Sequence, residues 1–374
     1  MNPAKGAAPK DVARRSWTPK NMETGKVVVA IVLLAAFFIF LPQILNSTFA
    51  GVGGVLFGAG SGGTLVLPEE GRGGVLAISY NGGELFEEAK VHTPWQPQII
   101  DIDTHGKFYI AGTDRGLLIS RDGGLNWHTF TDLEKHIDSN TVIYDFARSS
   151  AGALYVAAYK NDHGVIYVTN DQFFTATPIW TEAKMPVVAI NADRGFLYAG
   201  LNDGRLLRYS FTKGTFEKLQ NFDRGVRDLV FTGSGELFVG LDGGNIYSDG
   251  GTRTSFTKMQ SPGDGFFVTQ GGLHLTNDGR NSNSLFMASV SGIFGSKNGG
   301  SLWEEINSIL PTRAQISVLV ADSGSLFVTS EAKFYKSNDG GKTWKVSEPM
   351  PTTERFGTLY VSPGGKTIIV GTRK

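Results

Sequence analysis

Apolar and polar residues alternate in short runs along most of this chain, and the runs come in groups of four. One group reads Ile99–Asp103, Lys107–Gly112, Gly116–Ser120 and Trp127–Phe130, with turn-forming residues between the runs. Alternation with a period of two over such lengths predicts β-strands with one buried face. Nothing beyond residue 73 sustains the 3.6-residue period of an amphipathic helix.

The groups repeat. Taking the second run of each as a ruler, Tyr109, Tyr155, Tyr198, Phe238, Phe286, Phe327 and Ile368 are equivalent, at spacings of 46, 43, 40, 48, 41 and 41 residues. That is the period of four-stranded propeller blades. The ends complement each other. Phe356–Val361 and Thr367–Gly371 make an inner pair with nothing after it, and Gly74–Ser79 and Leu85–Lys90 make an outer pair with nothing before it. Joined, they form one composite blade that closes the ring and protects its edges. The predicted fold is therefore all-β, a seven-bladed β-propeller spanning residues 73–374.

Upstream the pattern changes. Residues 27–45, from Val27 to Leu45, carry no charge, a length near the ~20 residues that cross a bilayer. Before them, Lys5, Lys10, Arg14, Arg15, Lys20 and Lys26 oppose only Asp11 and Glu23, and no charge follows until Glu69. The positive-inside rule then predicts a basic cytoplasmic tail (1–26), a single transmembrane helix and an extracytoplasmic propeller. A cleaved signal peptide, ending near Thr48-Phe49-Ala50, is the competing reading and would release the domain. Residues 46–72, rich in glycine, read as a flexible linker.

Composition narrows the chemistry. Lys and Arg balance Asp and Glu at 35 each, so no basic field recruits nucleic acid. The absence of cysteine removes disulfides, thiolate catalysis and cysteine-based zinc sites.

A hairpin motif recurs between third and fourth strands. It reads Ser120-Arg121-Asp122-Gly123-Gly124-Leu125-Asn126-Trp127, Ser296-Lys297-Asn298-Gly299-Gly300-Ser301-Leu302-Trp303 and Ser337-Asn338-Asp339-Gly340-Gly341-Lys342-Thr343-Trp344. Weaker copies start at Ser79 and Ser248, with a degenerate relic at Thr169-Asn170-Asp171. Asp or Asn caps nearby backbone N–H groups in such turns, and Gly accepts positive φ. The motif resembles the BNR or Asp-box repeat, Ser-x-Asp-x-Gly-x-Thr-Trp. That group includes sialidases, xyloglucan-cleaving glycosidases, sortilin-type receptors and photosystem II assembly-factor-like proteins. The resemblance implies a structural turn on the blade periphery, away from the ligand face, so these residues are not counted as functional.

No catalytic residues are expected. A sialidase-like site would need an early Arg-Ile-Pro signature, and the chain has no Arg-Ile pair. There is also no phosphate loop, HExxH or Gly-x-Ser-x-Gly. Asp101 and Asp103, with His105 beyond, read better as solvated channel carboxylates than as metal ligands, so neither metal nor cofactor is expected. Propellers usually bind through the loops joining second to third strands and one blade to the next. Those loops carry Arg115, Arg205, Arg224, Arg227, Arg313 and Arg355, which would suit a carboxylate or an acidic peptide if they converge. Ordinary solvated loop charge is the plainer reading of each. Trp95 lies in one such connection, as a partner anchor or as inter-blade packing. The chain thus reads as a non-catalytic scaffold of the bacterial envelope that binds a protein or peptide. The alternative is a glycan-binding or glycan-cleaving envelope propeller. A photosystem assembly role rests on the resemblance alone.

Overall fold

The computed structural model describes residues 72–372, apart from 170–174, 260–273, 279–280, 290–291, 307–315, 323 and 348–349. The expected tail, membrane segment and linker up to residue 71, the relic at Asn170-Asp171 and Arg313 lie outside the described residues. Arg72, counted above with the linker, already opens the first strand. Among the described residues no helix is long and apolar enough to cross a membrane.

Strands β1 (Arg72–Ser79) and β2 (Glu87–His92) precede a run of four, β3 (Ile99–His105), β4 (Phe108–Thr113), β5 (Gly116–Ser120) and β6 (Asn126–Phe130). Next come β7 (Val142–Arg148), β8 (Leu154–Lys160), β9 (His163–Thr169) and β10 (Thr177–Ala183), then β11 (Val187–Asp193), β12 (Phe196–Leu201), β13 (Arg205–Ser210) and β14 (Thr215–Asn221). They are followed by β15 (Val226–Phe231), β16 (Leu237–Leu241), β17 (Ile246–Ser248) and β18 (Thr257–Lys258), and by β19 (His274–Asp278), β20 (Asn281–Ser289), β21 (Gly292–Ser296) and β22 (Glu304–Glu305). The last are β23 (Ile316–Asp322), β24 (Ser325–Ser330), β25 (Lys333–Ser337) and β26 (Lys345–Ser347), then β27 (Phe356–Val361) and β28 (Ile368–Thr372).

Each run of four from β7 to β26 is an antiparallel meander in its own sheet. The ruler residues Tyr109, Tyr155, Tyr198, Phe238, Phe286, Phe327 and Ile368 all fall on second strands. The chain ends pair as the pattern requires: β28 lies against β1, with Leu76 opposite Gly371 and Ser79 opposite Ile368, giving the order β27-β28-β1-β2. The pattern did not foretell one feature. Outer strand β2 pairs in parallel with outer strand β6, Val91 opposite Trp127, and fuses these two blades into one eight-stranded sheet. The first strands β3, β7, β11, β15, β19, β23 and β27 adjoin one another in that cyclic order, so the sheets stand radially around a common centre.

Apolar side chains from one sheet pack on the next. Ile110, Leu117 and Ile119 of β4 and β5 meet Ile143, Val156 and Val165 of the following sheet, and Ala189, Tyr198 and Leu206 meet Leu229, Val239 and Leu241. The core is therefore a set of wedges between sheets, each buried on both faces.

Four hairpins share one hydrogen-bond pattern. In the β5–β6 turn the Ser120 hydroxyl donates to Asp122 at 2.9 Å, and the Gly124 and Asn126 N–H groups donate to Ser120 Oγ (2.8 Å) and Asp122 Oδ1 (2.9 Å). The same three bonds recur at Ser79/Asn81, Ser296/Asn298 and Ser337/Asp339. Burial opposes ionisation of Asp122, yet the donors from Asn126 and Ser120 hold its carboxyl below the usual range. Donors from Thr343 and Ser337 bring Asp339 to about 2. Asp122→Ala removes these acceptors, and a loss of about 1 kcal/mol is expected in urea unfolding of the full chain.

The Ser248 copy is built differently. Asp249 accepts from Leu237 N–H (2.9 Å) and Gly251 N–H (2.8 Å), while the Ser248 hydroxyl donates to Glu236. Its aspartate stands one residue earlier than in the others, which moves the cap onto the neighbouring strand.

The second glycine of each hairpin has a steric reason. At Gly83, Gly124, Gly300 and Gly341 φ lies between +78° and +103°, and an added Cβ would meet a side chain of the preceding blade: Phe334, Ile78, Phe238 and Ile306 respectively. The turn backbone forms the floor on which the neighbouring sheet packs.

Candidate functional site

The loops expected to carry function lie at the end of the ring opposite these hairpins. They are the turns between second and third strands and the connections between sheets. Their shape comes from backbone packed on backbone. Gly116 donates to Thr141 O at 2.6 Å, and a Cβ on Gly164 would come within 1.8 Å of the Met185 carbonyl oxygen. Gly204 takes φ +94° and would place a Cβ 2.6 Å from the carbonyl oxygens of both Phe222 and Arg224. Such turns hold neighbouring side chains at fixed separations.

The predicted arginines fall into two groups. Arg205 opens β13, Arg224 lies in the β14–β15 connection and Arg227 stands on β15, so two of the three are on strands and not in the loops expected. Arg205 is clamped by Glu182 (2.6 and 3.0 Å) and Asp203 (2.7 Å), which together hold its guanidinium in the charged form. Arg227 makes a two-pronged bond to Asp242 at 2.5 and 2.6 Å. Arg224 is exposed and lies against Gly243, where a Cβ would come 3.2 Å from its Nη1. The second group is Arg115 and Arg355, beside the β2–β3 connection. Arg115 is exposed, its guanidinium 5.8 Å from the Trp95 ring centre. Gln96 next to that tryptophan donates to Glu354 at 3.3 Å. Arg355, also exposed, borders an open pocket of about 770 Å³ together with Glu331, Lys333, Met350 and Thr352. The sheet β7–β10 lies between the sheets that carry the two groups and supplies Glu182 to Arg205, so the five described positions are held by separate partners. Two of them are already neutralised by carboxylates.

The innermost strands carry a second arrangement that the loop argument missed. The β3–β4, β7–β8, β11–β12 and β15–β16 pairings each shift register one residue inside the first strand, after Ile99, Ile143, Val187 and Val226. The bulge brings Asp101, Asp145 and Asp228 to equivalent places on the channel wall. Each bonds its own strand: Ile102, Phe146 and Leu229 N–H donate at 2.8, 2.7 and 2.8 Å. The second oxygen reaches the next sheet. Asp145 accepts from Ile190 N–H at 2.7 Å and Asp228 from Leu275 N–H at 2.8 Å. Asp101 lies beside Asp145 and the Phe146 N–H of the next sheet, both of which oppose the rise of its pKa.

These carboxylates staple adjacent sheets. Burial pushes Asp101 up to about 7, and the charge of Asp103 adds to this against the Ile102 N–H. Burial and the charge of Asp101 carry Asp145 well above the ordinary range, and burial takes Asp228 to about 6 despite its two N–H donors. Burial raises the Tyr144 phenol, and the charge of Arg227 opposes that rise. Asp103, read with Asp101 as a channel carboxylate, pairs with Arg148 at 3.2 Å. Among the described residues no three His, Asp or Glu side chains are grouped to hold a metal ion. Aligning first strands on their buried Ile or Val would have exposed the repeated aspartate two residues later.

No family model matches the chain, and neither does any curated protein. Solved structures match in fold. YCF48 from Cyanidioschyzon merolae superposes with a TM-score of 0.58 at 14% identity, covering 75% of this chain and 97% of that one. YCF48 bound to D1 peptide gives 0.58 at 17%, covering 75% and 95%. Catalytically inactive virginiamycin B lyase from Staphylococcus aureus with Quinupristin gives 0.58 at 12%, covering 75% and 97%. At these identities the likeness is one of fold. The chain is a β-propeller.

Proposed function

We propose that this chain is a seven-bladed propeller, anchored in the membrane by residues 27–45 with its ring outside the cytoplasm, and that it is a non-catalytic scaffold for an acidic protein segment. The observation that carries the reading is the turn end of the ring, where Arg115, Arg224 and Arg355 stand exposed on rigidly packed loops. Exposed guanidinium groups on a fixed frame suit carboxylates, which they bind through two parallel hydrogen bonds. Arg115 over Trp95 adds an aromatic platform beside the charge. The propeller of YCF48 bound to D1 peptide supports a peptide as the kind of partner.

The channel carboxylates support a non-catalytic role. Raised acids in a central channel would ordinarily suggest acid–base chemistry. Asp145 and Asp228, however, spend both oxygens on backbone N–H groups of two sheets, which suits holding the ring together better than meeting a substrate.

The test is a pull-down with the tagged full chain from native membranes, repeated with Arg115→Glu, Arg224→Glu and Arg355→Glu combined. The expected result is a protein partner whose affinity for the triple variant falls about tenfold or more, equivalent to about 1.4 kcal/mol, and whose binding weakens with salt. Retention of polysaccharide with no protein partner would sink the reading.

A further inference from the structure

Among the described residues a single pair of blades is joined strand to strand, and that seam carries two histidines. β2 and β6 run parallel with Lys90 opposite Asn126, Val91 opposite Trp127 and His92 opposite His128. Lys90 N–H donates to Leu125 O at 2.8 Å at the start of the seam. Val91 and Trp127 are buried in the core. By alternation His92 and His128 share the other face. Their rings lie flat against each other, 4.5 Å between centres and 7° between planes.

The hairpin below the seam fixes one proton of the pair. The Asn126 amide donates through Nδ2 to Asp122 at 2.7 Å, so its Oδ1 accepts from His92 Nε2 at 3.0 Å. His92 therefore carries its proton on Nε2, and a second one enters at Nδ1. The stacked planes do not suit a shared metal ion, because imidazole lone pairs lie in the ring planes and two parallel planes do not converge. Lys90 and Glu88 stand on the same face of β2, and Arg121 and Asp122 on the β5–β6 hairpin. The β5 residue opposite His128 is the apolar Ile119, and Tyr167 and Ala176 of the following sheet join its cluster. Burial holds His128 below the ordinary imidazole value, the charges of His92 and Arg121 add to this, and Asp122 opposes it. One ring can take a proton, and the stacked neighbour then resists the next.

His92 is also the last residue of β2, and the connection to β3 leaves from it. Along that connection the Thr93 hydroxyl donates to Trp95 O, Gln96 donates to Glu354, and Gln98 N–H donates to Asp114 at 2.8 Å. Trp95, beside the Arg115 guanidinium, thus sits between the stacked pair and the Asp114 turn. We propose that His92 and His128 form a proton-operated clasp on the turn-end binding site. With one ring neutral the seam stays closed and holds the Trp95 connection; with both charged the strands part and the connection loosens. The clasp rests on the reading of Arg115 and Trp95 as part of a partner site, whose binding then weakens in acid. Because His128 is lowered, the folded seam takes up fewer protons than the unfolded chain, whose imidazoles titrate near ~6.5. Seam stability is therefore full above that value and is lost as pH falls. The channel aspartates respond in the opposite sense, so a local measurement is needed to separate the two.

Amide hydrogen exchange of the full chain, corrected for the intrinsic rate at each pH, tests this at about pH 7.5 and about pH 5. Residues 88–98 report on the seam strand and its connection, and β12 serves as the reference for a folded ring. The expected result is a loss of protection of about tenfold over 88–98 in acid, with β12 unchanged. His92→Gln and His128→Gln each leave a single imidazole, and either abolishes the loss; at position 92 glutamine still donates to Asn126. Unchanged protection in the wild type overturns the clasp. An equal loss in both variants assigns the response to other groups and also overturns it. So does a loss confined to 88–92 with 93–98 still protected, which separates the seam from the site. Binding of a fluorescent hexaglutamate peptide is read on the same samples. Weakening in acid by the wild type and not by the variants supports the clasp. Peptide binding at neither pH, with the exchange result as expected, removes the acidic-partner reading of the arginines and leaves the clasp standing.

Discussion

Gly83→Ala lowers the unfolding free energy by about 3 kcal/mol, whereas Gly340→Ala in a sister hairpin lowers it by about 1 kcal/mol. Both positions take positive φ, +88° and +71°, so both variants incur the backbone cost of placing a Cβ there. They differ in what lies beyond. The new methyl at Gly83 would sit 2.2 Å from Cε1 and 2.9 Å from Cζ of the buried Phe334 ring, while nothing stands within 4 Å of the one at Gly340. A ring packed against Phe86 and Phe327 cannot swing aside without disturbing that cluster. The difference therefore measures inter-blade packing with turn conformation held in common. Urea unfolding of the full chain reads it as a shift in midpoint at constant slope. Equal losses in the two variants would mean that the preceding blade does not bear on the hairpin.

The second large effect concerns the channel staples. Asp145→Ala leaves the N–H groups of Phe146 and Ile190 without their acceptor, and each orphaned donor costs about 1–3 kcal/mol. A loss of about 3 kcal/mol is expected at pH 5. At pH 8 the loss is smaller, because the substitution also removes a buried negative charge. The wild type follows the same logic. Asp101 at about 7 and Asp228 at about 6 stand above the ~3.9 of an unfolded aspartate, and Asp145 is raised as well. Between about pH 4 and 7 the folded state holds more protons than the unfolded one, so unfolding free energy falls as pH rises. The contribution is full below about 4 and gone above the folded values. With channel water screening the part-exposed carboxylates, the fall between pH 5 and pH 8 is about 2 kcal/mol. Asp101→Asn should flatten it. A flat curve over the same interval would show that these groups are ionised in the folded state throughout.

The hairpins show how far a local pattern reaches. Ser120, Asp122 and Gly124 bond within five residues of one another, so their geometry follows from the order of side chains along the strand. The composite blade was legible for a related reason: alternation leaves an inner pair without outer strands and an outer pair without inner ones, and only their union buries both. The Ser248 copy misled because Asp249 bonds Leu237, twelve residues back on another strand, which no local register reveals.

The arginines mark the limit of such reading. Arg115, Arg224 and Arg355 occupy loops as the strand pattern expects, whereas Arg205 opens β13 and Arg227 stands on β15, because each strand begins earlier than the alternation suggests. Pairing of Arg205 with Glu182 and of Arg227 with Asp242 depends on where remote turns meet. The channel aspartates are similar, since Asp145 completes its bonding on Ile190, forty-five residues on.

Strand order, blade period, the closing of the ring by its two ends and the turn chemistry of the hairpins were thus determined by the sequence itself, because each depends on side-chain alternation or on contacts within a few residues. Which cations remain exposed, which carboxylates bind the sheets together, and the parallel seam of β2 with β6 were decided only by the tertiary structure. Those features arise where residues far apart in the chain are brought within hydrogen-bonding distance, and alternation along one strand carries no record of what the next blade sets against it.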